Sequence, residues 1–194
     1  MSKDFDLFQK RDIKHFRVAV FGSARTKIDN ATYKEVHKLA YMLGERGLDV
    51  VTGGGPGLMQ AANEGHRLGN KTARKRSHSI GIGIKLPWEQ KFNKSVQYKK
   101  EFKIFSSRLD QFMLLSNAVV VTPGGLGTLL ELFYTWQLVQ VHHICDIPII
   151  LMGDTWKGLL KWIKSESLKN GYIDEHDYKL IFYAKNPTQA LKLS

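Results

Sequence analysis

The stretch PGGLGTLLE, residues 123–131, sets three glycines and a threonine directly ahead of a helical run that carries a glutamate. Glycine lets a backbone come close to a ligand, and a helix that begins there aims its free N–H groups and its positive dipole end at the same point. Gly124, Gly125, Gly127 and the Thr128 hydroxyl therefore form a candidate cradle for an anion, and phosphate is the fitting guest. Glu131 follows Thr128 by one helical turn and shares its face, so a carboxylate stands beside that cradle. Two further glycine-rich turns, FGSAR (21–25) and TGGGPGLM (52–59), have the same strand-to-helix setting.

Such turns need a frame that brings them to one edge. Apolar runs at 17–22, 48–52, 79–84, 118–122 and 147–152 read as strands buried on both faces. Segments with helical periodicity lie between and after them, at about 30–46, 57–68, 106–116, 126–142 and 154–169. Strands alternating with helices predict right-handed crossovers and an α/β fold, a doubly wound parallel sheet in three layers. In such a sheet ligands bind outside the carboxyl ends of the strands, which is where all three glycine turns fall. The tail from 170 is expected to add a short strand around 179–183 and a last helical turn, and KTARKRSHS (71–79) reads as a basic loop inserted before the third strand. The chain holds neither GxxxxGK[ST] nor a GxGxxG followed about 20 residues later by an acidic residue, which argues against ATP hydrolysis and nicotinamide chemistry.

Composition bounds the rest. A chain of 194 residues with 43% hydrophobic content suits one domain over 1–194, its first 16 residues an extension. The single cysteine, Cys145, lies in an apolar stretch and rules out an internal disulfide, and MSKDFDLFQKRDIKHF lacks the apolar centre of a signal peptide. With no apolar run near the roughly 20 residues of a membrane span, a cytoplasmic protein without a membrane partner is expected. The net charge of +11 is concentrated between Arg67 and Arg108, where twelve Lys or Arg face only Glu89 and Glu101. That field attracts anions, whether a phosphorylated small molecule, a nucleic acid or a membrane surface, and a solvated basic face is the plain reading beside them.

PGGLGTLLE and TGGGPGLMQAANEG (52–65), with FGSAR, IGIGIKLPWEQ (80–90) and FSSRLDQFMLLSNAVVVTPGG (105–125) in the same order, resemble the LONELY GUY family in its bacterial branch. The resemblance spans about 17–165; the family's members often carry the label "possible lysine decarboxylase". It implies a Rossmann-like fold, a homodimer and a phosphoribohydrolase. The enzyme would cleave the N-glycosidic bond of a cytokinin riboside 5′-monophosphate or an AMP-like nucleotide, giving free base and ribose 5-phosphate. By resemblance Glu131 is the catalytic glutamate and Arg108 its arginine partner. Gly22, Ser23, Gly54, Gly55, Gly57, Met59 and Glu89 match substrate contacts, and no cofactor or metal is implied. The chemistry fits the residues, because breaking that bond builds positive charge on C1′ and the ring oxygen, which a carboxylate one sugar away from the phosphate can stabilise.

The chain departs from the family where Leu109, Leu130 and Tyr134 replace charged residues, three charges lost around the expected pocket. That loss leaves room for an alternative, a non-catalytic holder of a phosphorylated ligand such as the molybdenum-cofactor carriers, which share the PGGxGT signature. A third reading takes Trp88, Phe92, Tyr98, Phe102 and Phe105 in the basic stretch as stacking platforms for single-stranded nucleic acid; burial of several of these aromatics in the core or the dimer interface is the competing and favoured expectation. His142, His143 and Cys145 lack the spacing of a metal site, and no lysine stands in a context that marks pyridoxal attachment. The apolar helix LFYTWQLVQVHHI (132–144) is the expected dimer contact.

Overall fold

A computed structural model describes residues 16–86 and 91–194. Seven strands form one sheet: β1 (Arg17–Phe21), β2 (Asp49–Thr52), β3 (Ser79–Ile84), β4 (Tyr98–Phe102), β5 (Ala118–Val121), β6 (Ile149–Met152) and β7 (Ile181–Ala184). The helices are α1 (Ala31–Glu45), α2 (Leu58–Thr72), α3 (Phe105–Leu115), α4 (Leu126–Gln140), α5 (Trp156–Trp162), α6 (Glu175–Lys179) and α7 (Pro187–Leu193). The sheet order is β4-β3-β2-β1-β5-β6-β7, and every pairing is parallel.

Period-two alternation along the strands sorts the core into two layers. Val18, Val20, Val50, Val120 and Ile150 meet Leu39, Leu43, Ala61, Ala62 and Ala190, so α1, α2 and α7 cover that face. Ala19, Phe21, Val51, Val121 and Leu151 turn the other way, toward Phe112, Leu132, Trp136 and Trp156 of α3, α4 and α5. Helices α1 and α2 touch backbone to backbone: a Cβ on Gly65 or Gly69 would stand 2.1 Å from His37 O or 2.0 Å from Tyr41 O.

Strand β3, SIGIGI, is asymmetric. Ile80 and Ile82 enter the α3 side, whereas Gly81 and Gly83 face the segment that joins β3 to β4. A Cβ on Gly81 would lie 2.8 Å from Val96 and one on Gly83 only 2.6 Å from Phe92, so the glycines let Phe92 and Val96 pack directly on the strand. That segment is stitched down by Gln97 N–H donating to Ser79 O at 2.8 Å.

Four expectations need correction. Strand β4, YKKEF, was not anticipated: as an edge strand with alternating exposure it needs no continuous apolar run. The helix expected over 154–169 is α5 followed by a π-helical turn, Ile163–Leu168. The tail strand lies at 181–184 because Asp174 and Asp177 form a capping box that starts α6 just before it. The basic insertion is shorter than read, since Lys71 and Thr72 still belong to α2.

Candidate active site

The chain leaves β1 toward β2 on one side and returns to β5 on the other, so the crevice between these strands is the switch point of the sheet. The three glycine turns meet there and bind one another. Ser23 N–H donates to Pro123 O at 3.1 Å, and Leu58 N–H donates to Ser23 O at 2.8 Å. Gly57 has φ +67°, and a Cβ there would sit 2.3 Å from Ser23 O, so only glycine lets the second turn close on the first. Asn93 fastens the second turn from the opposite side, its amide donating to Gly55 O at 2.9 Å and to Asn63 Oδ1 at 2.9 Å.

Above these turns opens a cavity of about 560 Å³. Gly125, Gly127 and Thr128 line it at the start of α4, and Gly22 and Ser23 line it beside them. Gly54, Gly55 and Met59 form its floor. Gly57 and Gly124 are off the wall and act on the loops instead; a Cβ on Gly124 would meet Thr128 Oγ1 at 2.1 Å. Glu89 and Trp88 lie outside the described residues.

Arg108 and Glu131 face each other on this wall. Arg108 Nη1 donates to Glu131 Oε1 at 3.0 Å, its Nε donates to Ile82 O at 2.8 Å, and its guanidinium lies 5.0 Å from the centre of the Phe112 ring. Two hydrogen bonds and a ring face hold the group in place. Gly53 makes room for it: a Cβ there would fall 2.6 Å from Arg108 Nη2 and 2.7 Å from Met59 Sδ. Glu131 is 9% exposed. Burial raises its pKa above the ordinary carboxylate range, and the Arg108 charge and hydrogen bond pull against that shift.

Sequence reading did not single out Gly53, Gly83, Ile84, Leu86 and Glu101 as wall residues, and weighed Phe92 and Phe105 as nucleic-acid platforms or buried aromatics, not as part of this wall. Phe92 instead packs on the glycines of β3, while Tyr98 and Phe102 pack on the core, so these aromatics form no row. The three charge losses fall off the cavity wall, which corrects the expectation that they surround it: Leu109 is buried, Leu130 is exposed on α4, and the Tyr134 hydroxyl donates to Asp110. Cys145 is exposed, and His142 faces Asp146 at 3.8 Å on the surface. Among the described residues no helix is long and apolar enough to cross a membrane.

The model of the family described as "Possible lysine decarboxylase" matches residues 59–193. The chain belongs to that family. The matched segment holds the PGGLGT turn and both members of the Arg108–Glu131 pair. Among curated relatives of this family member, the pyrimidine/purine nucleotide 5′-monophosphate nucleosidase of Escherichia coli K12 is 30% identical over 135 residues, 65% of this chain and 29% of the relative. The chain thus spans under a third of that relative's length. A cytokinin riboside 5′-monophosphate phosphoribohydrolase of Arabidopsis thaliana is 26% identical over 185 residues, 91% of this chain and 81% of the relative. In fold the chain is similar to the molybdenum cofactor binding protein of Rippkaea orientalis, with TM-score 0.68 and 20% identity over 93% of this chain and 96% of that one. It is also similar to the molybdenum cofactor carrier protein of Chlamydomonas reinhardtii, with TM-score 0.63 and 22% identity over 92% and 95% of the two chains. At these identities the likeness speaks for the Rossmann-like α/β fold alone.

Proposed function

We propose that this chain is a phosphoribohydrolase that hydrolyses the N-glycosidic bond of a nucleoside 5′-monophosphate, a cytokinin riboside 5′-monophosphate or an AMP-like nucleotide. The observation that carries the reading is the buried Arg108–Glu131 pair, 3.0 Å apart, on the wall of a cavity that begins at the glycine-rich start of α4. The phosphate sits against Gly125, Gly127 and Thr128, with Gly22 and Ser23 closing the other side. The ribose then reaches Glu131. As the C1′–N bond breaks, its electron pair leaves with the base, which takes up a proton, and water supplies the hydroxyl that ends on C1′. The Glu131 carboxylate stabilises the positive charge that builds on C1′ and the ring oxygen. Arg108 fixes the carboxylate's position and, being permanently protonated, is no proton donor to the departing base.

A protein that only holds a phosphorylated ligand has no chemical use for a carboxylate braced by an arginine beside the cradle. This separates hydrolysis from the carrier reading. The test is base release from a panel of nucleoside 5′-monophosphates, including AMP and isopentenyladenosine monophosphate, with free nucleosides and Glu131→Ala as controls. Release that needs the 5′-phosphate and vanishes in the variant is the expected result. Binding of phosphorylated ligands with no cleavage by the wild type would put the carrier reading first.

The protein works as a homodimer, a single domain in the cytoplasm, with nucleic acid no part of its function. Within 132–144 the side chains of Leu132, Trp136 and Val139 are already buried in the subunit. The apolar groups of α4 left for a partner are Leu126, Leu130 and Phe133, with Val141 just beyond the helix, all exposed.

A further inference from the structure

The cavity continues past Arg108 to a wall made by β3, β4 and the chain between them, where Ile84, Leu86, Phe92, Glu101 and Phe105 meet. Glu101 is the register partner of Gly83 in neighbouring parallel strands, so their Cβ directions share one face of the sheet. On that face a Cβ of Gly83 would stand 2.6 Å from Phe92 Cζ. Glu101 therefore projects beside the Phe92 ring, one strand farther out. Lys99, two residues earlier and on the same side, already lies 5.9 Å from the ring centre.

The result is an apolar, partly aromatic wall with one carboxylate at its rim. Besides Glu131, Glu101 is the sole acidic side chain among the described wall residues, whereas Arg25, Lys91 and Arg108 bring positive charge. A carboxylate repels phosphate, so the phosphate lies at the α4 end and an uncharged ring is left for this end. An ionised carboxylate only accepts hydrogen bonds, which makes it a reader of N–H groups.

We propose that Glu101 selects the base: the heterocycle lies against Phe92, and the Glu101 carboxylate accepts hydrogen bonds from an amino group on its edge. Bases with an exocyclic amine are favoured over those that present a carbonyl at the same position. This inference rests on reading the cavity as a nucleoside monophosphate site.

AMP and inosine 5′-monophosphate differ at that position, amino against oxo, and are the probes. Their kcat/KM ratio is measured for the wild type, Glu101→Ala and Glu101→Gln, with inhibition by ribose 5-phosphate as a reporter of the phosphate end. The expected result is a fall of about tenfold or more in the AMP preference of Glu101→Ala, arising from AMP, with ribose 5-phosphate inhibition unchanged. Glu101→Gln, whose amide can donate to an oxo group, shifts the preference toward inosine 5′-monophosphate. A ratio unchanged within about twofold in both variants would overturn the role of Glu101 alone, and so would equal weakening of AMP and ribose 5-phosphate. A wild type that neither binds nor cleaves any nucleoside monophosphate would overturn the reading of the whole cavity, and this inference with it.

Discussion

Glu131 Oε1 accepts a hydrogen bond from Arg108 Nη1 at 3.0 Å, while Arg108 spends its Nε on Ile82 O at 2.8 Å. One guanidinium thus ties helix α4 to strand β3.

Activity should report the titration of Glu131. Burial raises its pKa, and the reaction uses the ionised form, so cleavage switches on as pH rises, with its acid limb above the ordinary glutamate range. Replacing Arg108 with methionine removes the opposing charge and moves that limb to still higher pH. Glu131→Ala should lose on the order of 100-fold or more at every pH. The kcat profiles of the three proteins check this; an Arg108→Met limb at lower pH than wild type would contradict it.

Stability in mild acid should follow His66. Its ring is buried, with Nε2 3.0 Å from both Leu48 O and Ser77 Oγ, and burial pushes its pKa from 6.5 down to about 4. The unfolded chain therefore binds more protons than the folded one between these values. The contribution is full above pH 6.5 and is lost as pH falls toward 4, roughly 3 kcal/mol over the window. Urea melts of wild type and His66→Gln at pH 7 and 4.5 should show the variant with the flatter pH dependence.

Two neighbouring glycines should fail in different ways. Gly53→Ala crowds the ends of two side chains, Arg108 and Met59, so it should cut activity several-fold with little change in melting temperature. Gly57→Ala combines φ +67° with a collision against the Ser23 carbonyl, so it should destabilise by about 1–3 kcal/mol. Thermal melts and turnover measured on both variants separate the two outcomes.

The exposed groups Leu126, Leu130 and Phe133 should lie between two copies. Light scattering is expected to give a dimer mass at micromolar concentration, and Leu130→Glu with Phe133→Glu should give the monomer. A monomeric wild type would remove the dimer.

Much of this arrangement was legible in the chain. The five apolar strands stand where their runs lie, because a strand buried on both faces must be apolar throughout, and the glycine turns announced the edge where they meet. Glu131 followed from one helical turn of spacing; Arg108 followed only from resemblance, since its partnership spans 23 residues that no local period connects. Phe92 and Glu101 were hidden for a related reason. Their place depends on the pairing of β4 with β3, and an edge strand such as YKKEF carries no burial pattern that marks it. Leu109, Leu130 and Tyr134 were misplaced, because helix spacing alone does not say which face of α3 or α4 meets the cavity.

The mutual stitching of the turns also bears on how the protein acquires its site. Thr122 Oγ1 donates to Phe21 O across 101 residues, and Ser23 N–H reaches Pro123 O beside it. The cradle is therefore a non-local structure: it exists only once distant parts of the chain have docked, and helix formation by itself brings none of it into being. During refolding, ligand binding can return only when the β1 and β5 turns have docked, whatever helix the far-ultraviolet signal already reports.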